Sequence, residues 1–185
     1  MLRIAVFILA TIPLAWVSRR SLRSPRHHGF HRFLAWEAIV GLILINFRGP
    51  AAWFADPLAP LEIASWILLF ASIGVLVPGV RALLAPGRAE VDGDRAELLP
   101  FERTTELVTT GVYRYIRHPM YASLLYLAWG VFLKRPGWPG VVLALTATGF
   151  LYAAAKAEEA ENLRYFGERY RMYMGGARMF VPFVW

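Results

Sequence analysis

The sequence contains no cysteine and little charge. The absence of Cys among the 185 residues excludes disulfides, thiolate metal sites and covalent catalysis by a cysteine nucleophile. Only 18% of the residues are charged, whereas soluble domains usually carry about 25%. Apolar residues make up 57% of the chain and aromatic residues 15%. One soluble core cannot absorb this surplus, so the composition predicts that the bilayer is the solvent.

The net charge of +7 does not indicate a nucleic-acid-binding protein. The basic residues lie between apolar runs and form no continuous stripe, which nucleic-acid binding would require. In a membrane protein this pattern reports topology and contact with anionic lipid headgroups. We therefore expect membrane lipids as partners and no nucleic acid.

Five apolar runs predict an all-α integral membrane protein with about five transmembrane helices. A span needs roughly 20 apolar residues, and the third and fifth runs meet this requirement. The first, second and fourth runs are shorter, so four spans plus a re-entrant segment is the alternative. The runs cover residues 4–18, 33–47, 63–80, 119–133 and 136–155.

The charges between the runs predict the orientation. Arginines without any acid follow the first run, residues 85–117 are rich in charge, and the tail from about Lys156 is rich in Arg. By the positive-inside rule these segments are cytoplasmic and the N-terminus lies outside, although Lys134 and Arg135 then also fall outside. We expect a three-helix membrane region over residues 1–84. Residues 85–185 would form a second region, in which the third connection and the tail build a small cytoplasmic cap and any polar active site.

The first chemical motif covers residues 111–121 and opens the fourth run. Pro119 suits the first position of a helix, which puts His118 at the cap. A helix N-terminus carries partial positive charge and free N–H groups, and Arg114, Arg117 and His118 surround this one. The motif predicts an anion site at the cytoplasmic interface. The same cations would also suit an anchor for lipid headgroups, and both interpretations remain open here.

The second motif covers residues 158–173 and follows the fifth run. Glu158 and Glu159 lie on two different faces of one predicted helix. Acids at the end of a membrane helix are commonly just solvated. They are costly close to the hydrocarbon unless they have partners, however, so a binding role is the alternative.

Together the two motifs resemble the signature of the isoprenylcysteine carboxyl methyltransferase and phospholipid N-methyltransferase superfamily. The resemblance covers residues 111–182, the C-terminal two-fifths of the chain. It rests on an Arg-His-Pro-x-Tyr motif that opens one helix, a Glu pair at the end of the next, and the aromatic tail that follows. Two departures are Ser123, where members often have Gly, and the segment 177–179, where the tail usually reads Val-Pro-Arg.

The resemblance implies S-adenosylmethionine as the cofactor, held without a Rossmann domain, and the sequence has no strand followed by Gly-x-Gly-x-x-Gly. It implies methyl transfer to a lipophilic acceptor, a prenylcysteine-type carboxylate or a phospholipid amine, with a small lipophilic thiol or acid also compatible. The expected place is the cytoplasmic membrane of a bacterium or archaeon, with the active site facing the cytoplasm. The implied catalytic residues are Glu158, Glu159 and Arg171. The implied cofactor-binding residues are Tyr113, Arg117, His118, Tyr121, Glu158, Glu159 and Tyr170.

Two other functions compete with this interpretation. The first is an NADPH-dependent sterol-type membrane reductase, a class that resembles the same superfamily. Its first motif usually has Asn before the Tyr, and its second motif begins with Arg-Asp. This chain has Met120 and Glu158-Glu159 at these positions. A non-catalytic membrane scaffold is the second alternative, and the intact His118 and paired glutamates disfavour it.

Two further groups of residues could carry chemistry. His27, His28 and His31 lie among arginines and have no carboxylate at ligand spacing, so we expect no metal site. Glu37 lies inside the second run, and we expect it to reach the interface or to pair with Arg32.

Overall fold

The computed structural model describes residues 1–84 and 106–184, and these residues form helices and no strand. Seven α-helices follow one another within these ranges, with 3-10 turns at Ser21–Arg23 and Gly111–Arg114. The helices are α1 Leu2–Ser18, α2 His28–Asn46, α3 Pro50–Trp53, α4 Pro60–Leu83, α5 Pro119–Lys134, α6 Trp138–Phe166 and α7 Glu168–Gly176.

Each of the five apolar runs corresponds to one long helix. Helices α2, α4 and α6 are long and apolar enough to cross a membrane, whereas α1 has 17 residues and α5 has 16. The described residues are thus helical, as predicted, and three of their helices are candidate membrane spans. The number of spans and the orientation stay predictions. The proposed boundary between residues 84 and 85 falls where the first described range ends, and most of the predicted cap, residues 85–105, lies outside the described residues.

Two helices extend beyond the apolar runs that predicted them. Helix α2 begins at His28, because the ring of His27 caps it by accepting a hydrogen bond from Gly29 N at 3.1 Å. Helix α6 continues to Phe166, so the acidic motif is helical throughout. It ends at Gly167, whose φ of +59° favours glycine and turns the chain into α7.

Small residues let the helices pack closely. Helix α2 lies along α6 and α4 lies along α5. Alanines that are fully or almost fully buried occupy these contacts, as is usual where membrane helices approach one another; they are Ala35, Ala38, Ala128, Ala144, Ala147, Ala154 and Ala155. Hydrogen bonds between helices add to the packing. Ser65 Oγ donates to Gly130 O at 2.8 Å and Asn46 Nδ2 donates to Val131 O at 2.8 Å.

The opposite faces of the helices are apolar and exposed. Helix α4 presents Ile63, Ile67, Phe70 and Ile73 outward. Such a continuous exposed apolar surface suits lipid and not water. The described helices thus form a frame with apolar faces outside and with hydrogen bonds between helices, such as Ser65 to Gly130 O, inside.

Glu37 has a partner in α1. Thr11 Oγ1 donates a hydrogen bond of 2.7 Å to Glu37 Oε2. The sequence indicated the interface or Arg32 and did not indicate this hydroxyl, because Thr11 lies 26 residues away along the chain. The hydrogen bond joins α1 to α2.

A buried ion pair joins the end of α5 to the start of α4. Lys134 Nζ lies 2.6 Å from Glu62 Oε2 and 3.5 Å from the centre of the Trp66 ring. The Lys134 side chain is only 2% exposed. This charge is therefore held inside the protein.

We predict that Glu62→Ala destabilises the protein strongly. The substitution leaves the Lys134 ammonium buried without a carboxylate, which costs about 3 kcal/mol or more. Thermal unfolding in detergent measures the effect. The matched control is Glu168→Ala, because Glu168 and Arg171 form an exposed pair, 70% and 73% exposed, 3.6 Å apart, and such pairs contribute about 0–1 kcal/mol. Equal effects of the two substitutions would contradict the prediction.

Candidate functional site

The two sequence motifs meet at one end of the helical frame. Helices α5 and α6 are antiparallel neighbours, so the start of α5 lies beside the end of α6. A cleft of ≈ 20 Å³ opens between them, which is room for about one water-sized group. Its lining consists of Tyr113, Arg117, His118, Pro119, Met120, Tyr121 and Glu158.

His118 is the N-cap of α5 and Pro119 occupies the first turn, as the sequence predicted. The imidazole is buried, and its ring stacks on Tyr121 with centroids 5.6 Å apart. Nδ1 lies 3.6 Å from Glu158 Oε1, and Nε2 lies 3.5 Å from Glu159 Oε1. Neither ring nitrogen has a hydrogen-bond partner among the described residues. The ring is therefore held between two carboxylates by charge and by stacking.

The two carboxylates determine the protonation of His118. Burial lowers the pKa of this imidazole, but contacts with Glu158 and Glu159 and their negative charges outweigh burial, so its pKa is raised above the ordinary 6.5. The two carboxylates therefore favour the cationic form of His118, which is a poor proton acceptor and a good partner for an anion.

Glu159 is neutralised inside the protein. Its Oε1 accepts from Arg117 Nε at 3.0 Å and lies 2.9 Å from Arg117 Nη2, while Oε2 lies 2.7 Å from Lys156 Nζ. The side chain of Glu159 is 2% exposed. Its role in this structure is to join the start of α5 to the end of α6.

Arg117 also holds the C-terminal tail. Its Nη1 donates to the carbonyl oxygens of Met174, at 3.2 Å, and of Ala177. The backbone of the first motif pairs with the tail as well, because Arg117 N donates to Arg178 O at 2.7 Å and Ile116 forms a parallel bridge with Arg178. The tail is thereby fixed against the cap of α5.

Glu158 differs from its neighbour because it faces the cleft. Its side chain is 30% exposed, and it lines the opening opposite His118. Since Arg117 and Lys156 satisfy Glu159, Glu158 is the carboxylate that can meet a ligand here. The sequence assigned both glutamates to one site, and the structure separates an accessible one from an internal one.

Helix α7 contributes two tyrosines near the cleft, of which Tyr170 is buried and Tyr173 is half-buried. Burial raises the pKa of Tyr170, and the charge of Glu158 raises it further. Burial likewise raises the pKa of Tyr173, against the opposing charge of Arg117, and its hydroxyl donates to Tyr113 O at 2.6 Å. Both phenols are therefore neutral hydrogen-bond donors at physiological pH.

The structure brings together most of the predicted site residues but not Arg171. The side chain of Arg171 is 73% exposed and lies 3.6 Å from Glu168. A role at the cleft stays a prediction for this residue. Sequence reasoning missed Lys156 and Met120. Lys156 precedes Glu159 by three residues, a spacing that places two side chains on one helix face and could have indicated the pair.

A second cluster contains two of the histidines. Glu161 of α6 lies beside His27 and His28, and their potential ligand atoms are all within 4.8 Å of one another. No carboxylate lies at ligand spacing from these histidines in the sequence, but the fold brings Glu161 beside two of them. The reason is tertiary, because Glu161 lies 133 residues from His28 in the sequence.

The C-terminal half of the chain is similar to known methyltransferases. Residues 94–169 match the family model described as phospholipid methyltransferase. Over 83 residues the chain is 39% identical to protein-S-isoprenylcysteine O-methyltransferase of Mus musculus, covering 44% of this chain and 29% of that protein. Over 71 residues it is 34% identical to methanethiol S-methyltransferase of Pseudomonas deceptionensis, covering 38% and 26% of the two chains.

A weaker similarity covers more of the chain. Methanethiol S-methyltransferase 1 of Bradyrhizobium diazoefficiens is 23% identical over 128 residues, which covers 69% of this chain and 42% of that protein. The chain thus spans less than half the length of each of these relatives. No solved structure matches the chain.

We predict that His118 makes stability depend on pH. Because its pKa is raised in the folded protein, its contribution is fully present below about pH 6.5 and is lost as the pH rises through the higher folded value. The measurement is the thermal midpoint of the wild type minus that of His118→Gln between pH 5 and pH 9. A difference that stays constant or grows with pH would show that the imidazole is not cationic in the folded state.

Proposed function

We propose that the protein is a membrane methyltransferase of the isoprenylcysteine carboxyl and phospholipid methyltransferase superfamily that uses S-adenosylmethionine, because residues 94–169 match the phospholipid methyltransferase family and the chain is similar to an isoprenylcysteine O-methyltransferase and a methanethiol S-methyltransferase. One observation carries the proposal: two motifs about 40 residues apart converge on a single cleft, where His118 and Glu158 face each other. The same convergence disfavours a scaffold without a ligand, because a buried imidazole between two carboxylates serves no packing purpose that an apolar residue would not serve better.

The charges of the cleft fit the polar end of this cofactor. Bound S-adenosylmethionine supplies an electrophilic methyl group on a positively charged sulfur. The carboxylate of Glu158 complements that sulfonium or the neighbouring ammonium group. Cationic His118 and the N-terminus of α5 complement the carboxylate. The cleft of ≈ 20 Å³ has room for one water-sized group of the cofactor, such as its ammonium, so the rest of the molecule would lie outside the cleft.

The remaining predicted residues have different roles in the proposal. Arg117 and Glu159 position the cleft, because their ion pair holds α5, α6 and the tail together. Tyr113 lies in the wall of the cleft, and Tyr170 lies beside the cleft as a neutral group. Arg171 would contribute from the tail only after leaving Glu168.

Methyl transfer from a sulfonium needs positioning more than acid–base chemistry. S-adenosylmethionine, held by Glu158 and His118, would supply the methyl group. The acceptor would gain a bond to the methyl carbon, and the electron pair of the broken carbon–sulfur bond would stay on the sulfur. Holding both reactants close together away from water supplies most of the rate. A carboxylate or thiolate acceptor requires no base. A protonated amine must first lose a proton, and Glu158 is the accessible carboxylate that can take it.

The acceptor class is the part of the proposal that the matched region does not determine. An O-methyltransferase and an S-methyltransferase are both similar to the chain over less than half of its length, so the similarity does not select one acceptor class. We propose a lipophilic acceptor, a prenylcysteine-type carboxylate or a phospholipid amine, because the apolar outer faces of the helices admit such molecules sideways from the bilayer.

The proposed placement follows from the charges around the helices. With the N-terminus outside, the arginines after α1 and the cleft between α5 and α6 lie on the cytoplasmic side. S-adenosylmethionine would then reach the site from the cytoplasm of a bacterial or archaeal cell.

We predict that Glu158→Gln weakens S-adenosylmethionine binding by at least about tenfold, because a lost contact between opposite charges costs about 1.4 kcal/mol or more. Calorimetry on the detergent-purified protein measures the dissociation constant, beside His118→Ala, for which we expect a similar loss. The control is Asp56→Asn, which removes an exposed carboxylate at the opposite end of the frame and should bind like the wild type. No binding to a folded wild type, with and without lipid, would reject the cofactor proposal.

We also predict methyl transfer to a lipophilic acceptor. Purified protein, S-adenosylmethionine carrying a labelled methyl group and either a farnesylated cysteine analogue or phosphatidylethanolamine should give labelled lipid product. Transfer should fall strongly in Glu158→Gln. If the label instead moves only to methanethiol, the enzyme class stands and the lipid acceptor is wrong.

A further inference from the structure

The connection between α1 and α2 is tied to α6 by one carboxylate. Glu161 Oε1 accepts a hydrogen bond of 3.1 Å from the backbone N–H of His28. Its Oε2 lies 2.6 Å from His28 Nδ1 and 3.7 Å from His27 Nε2. His28 is almost fully buried. We call the contact of His28 with Glu161 the clamp.

The clamp satisfies two requirements of α2. His28 is the first residue of that helix, so its N–H has no partner within the helix. The Glu161 carboxylate accepts this N–H, and its negative charge lies at the positive end of the helix. A carboxylate that receives both a backbone N–H and an imidazole N–H is fixed in position and orientation.

The arrangement fits a hydrogen-bonded pair better than a metal site. His27 Nδ1 accepts from Gly29 N, so in the neutral ring the proton lies on Nε2, the nitrogen that would have to bind the metal. The 2.6 Å from His28 Nδ1 to Glu161 Oε2 is a hydrogen-bond distance. Two ligands of one tetrahedral zinc ion lie farther apart, about 3.4 Å, given metal–ligand distances near 2.1 Å.

The clamp acts on the part of α6 that carries the accessible glutamate. Glu161 lies three residues after Glu158, so both side chains share one side of the helix. Arg117 and Lys156 already fix the face with Glu159. The clamp fixes the other side, from an element that does not itself line the cleft.

The anchor on the other side of the clamp is closely packed. A Cβ added to Gly29 would lie 2.4 Å from Ser21 Oγ and 2.7 Å from Ser21 Cβ. The start of α2 therefore rests directly on the 3-10 turn Ser21–Arg23, and glycine is required for this approach. The clamp therefore joins α6 to a closely packed segment.

We propose that His28 and Glu161 are positioning residues, which set the last turns of α6 so that Glu158 faces the cleft. This inference rests on the proposed function, because it assigns the clamp to the cofactor site. It makes cofactor affinity depend on a contact between the N-terminal region and the matched C-terminal region. The clamp itself touches neither cofactor nor acceptor.

The absence of cysteine allows a direct test. In the variant His28→Cys/Glu161→Cys the clamp is lost and can be rebuilt by a short crosslinker that reacts with two thiols, since no other thiol exists in the chain. We expect S-adenosylmethionine affinity, measured by calorimetry, to fall about tenfold before crosslinking and to return after it. Each single cysteine variant should lose affinity and not recover with the same reagent. Mass spectrometry confirms that the link has formed.

Other outcomes overturn the inference in distinguishable ways. Variants that unfold at lower temperature but bind the cofactor like the wild type, or a formed crosslink that restores stability without affinity, would assign the clamp to stability alone. Milder variants, His28→Asn and Glu161→Gln, keep this comparison possible if the cysteine pair folds poorly. In another outcome the wild type binds no cofactor, while a double-mutant cycle of thermal stability still couples His28 to Glu161. That result would reject the proposed function and the positioning role, and it would show that the contact between His28 and Glu161 exists. If the purified wild type contains stoichiometric zinc and Glu161→Gln does not, the contact is a metal site and not a hydrogen-bonded clamp.

Discussion

A carboxylate buried where a membrane helix ends must be neutralised, and the candidate site is built around the way Glu159 meets this requirement. An uncompensated charge at such a position would cost several kcal/mol. Arg117 supplies the main compensation from the start of α5, and the same guanidinium holds the carbonyl groups of the tail. Three segments that are distant in sequence are therefore joined at one point. The cleft exists because these segments cannot separate without exposing the charge.

The internal ion pair leaves its neighbours free for chemistry. Since Glu159 is satisfied by Arg117 and Lys156, the adjacent Glu158 can remain partly exposed and face His118. The two carboxylates raise the pKa of the imidazole between them and so favour its cationic form. A cation and an anion thus stand side by side at the opening. A zwitterionic ligand with a positive sulfur is the kind of molecule that such a pair can recognise.

The rest of the frame keeps this end in place without taking part in it. Buried alanines allow α2 to lie along α6, and the pair of Lys134 with Glu62 closes the opposite end of α5. In a bilayer the outer apolar faces contribute little to helix association. Close packing and a few polar contacts between helices must therefore hold the helices together. Contacts such as that of Ser65 with Gly130 O, at 2.8 Å, belong to this group.

Local signals were enough to predict the membrane class, the long helices, the cap at His118 and the two motifs. Apolar runs, a proline after a capping residue and the spacing within one helix are all encoded by neighbours in the chain. The tertiary structure decided which glutamate is accessible, left Arg171 in solvent and gave His28 a carboxylate 133 residues away. These outcomes depend on which helices pack together. A side chain's exposure and its charge partner depend on residues that are adjacent in space. A single sequence does not show which distant residues become such neighbours.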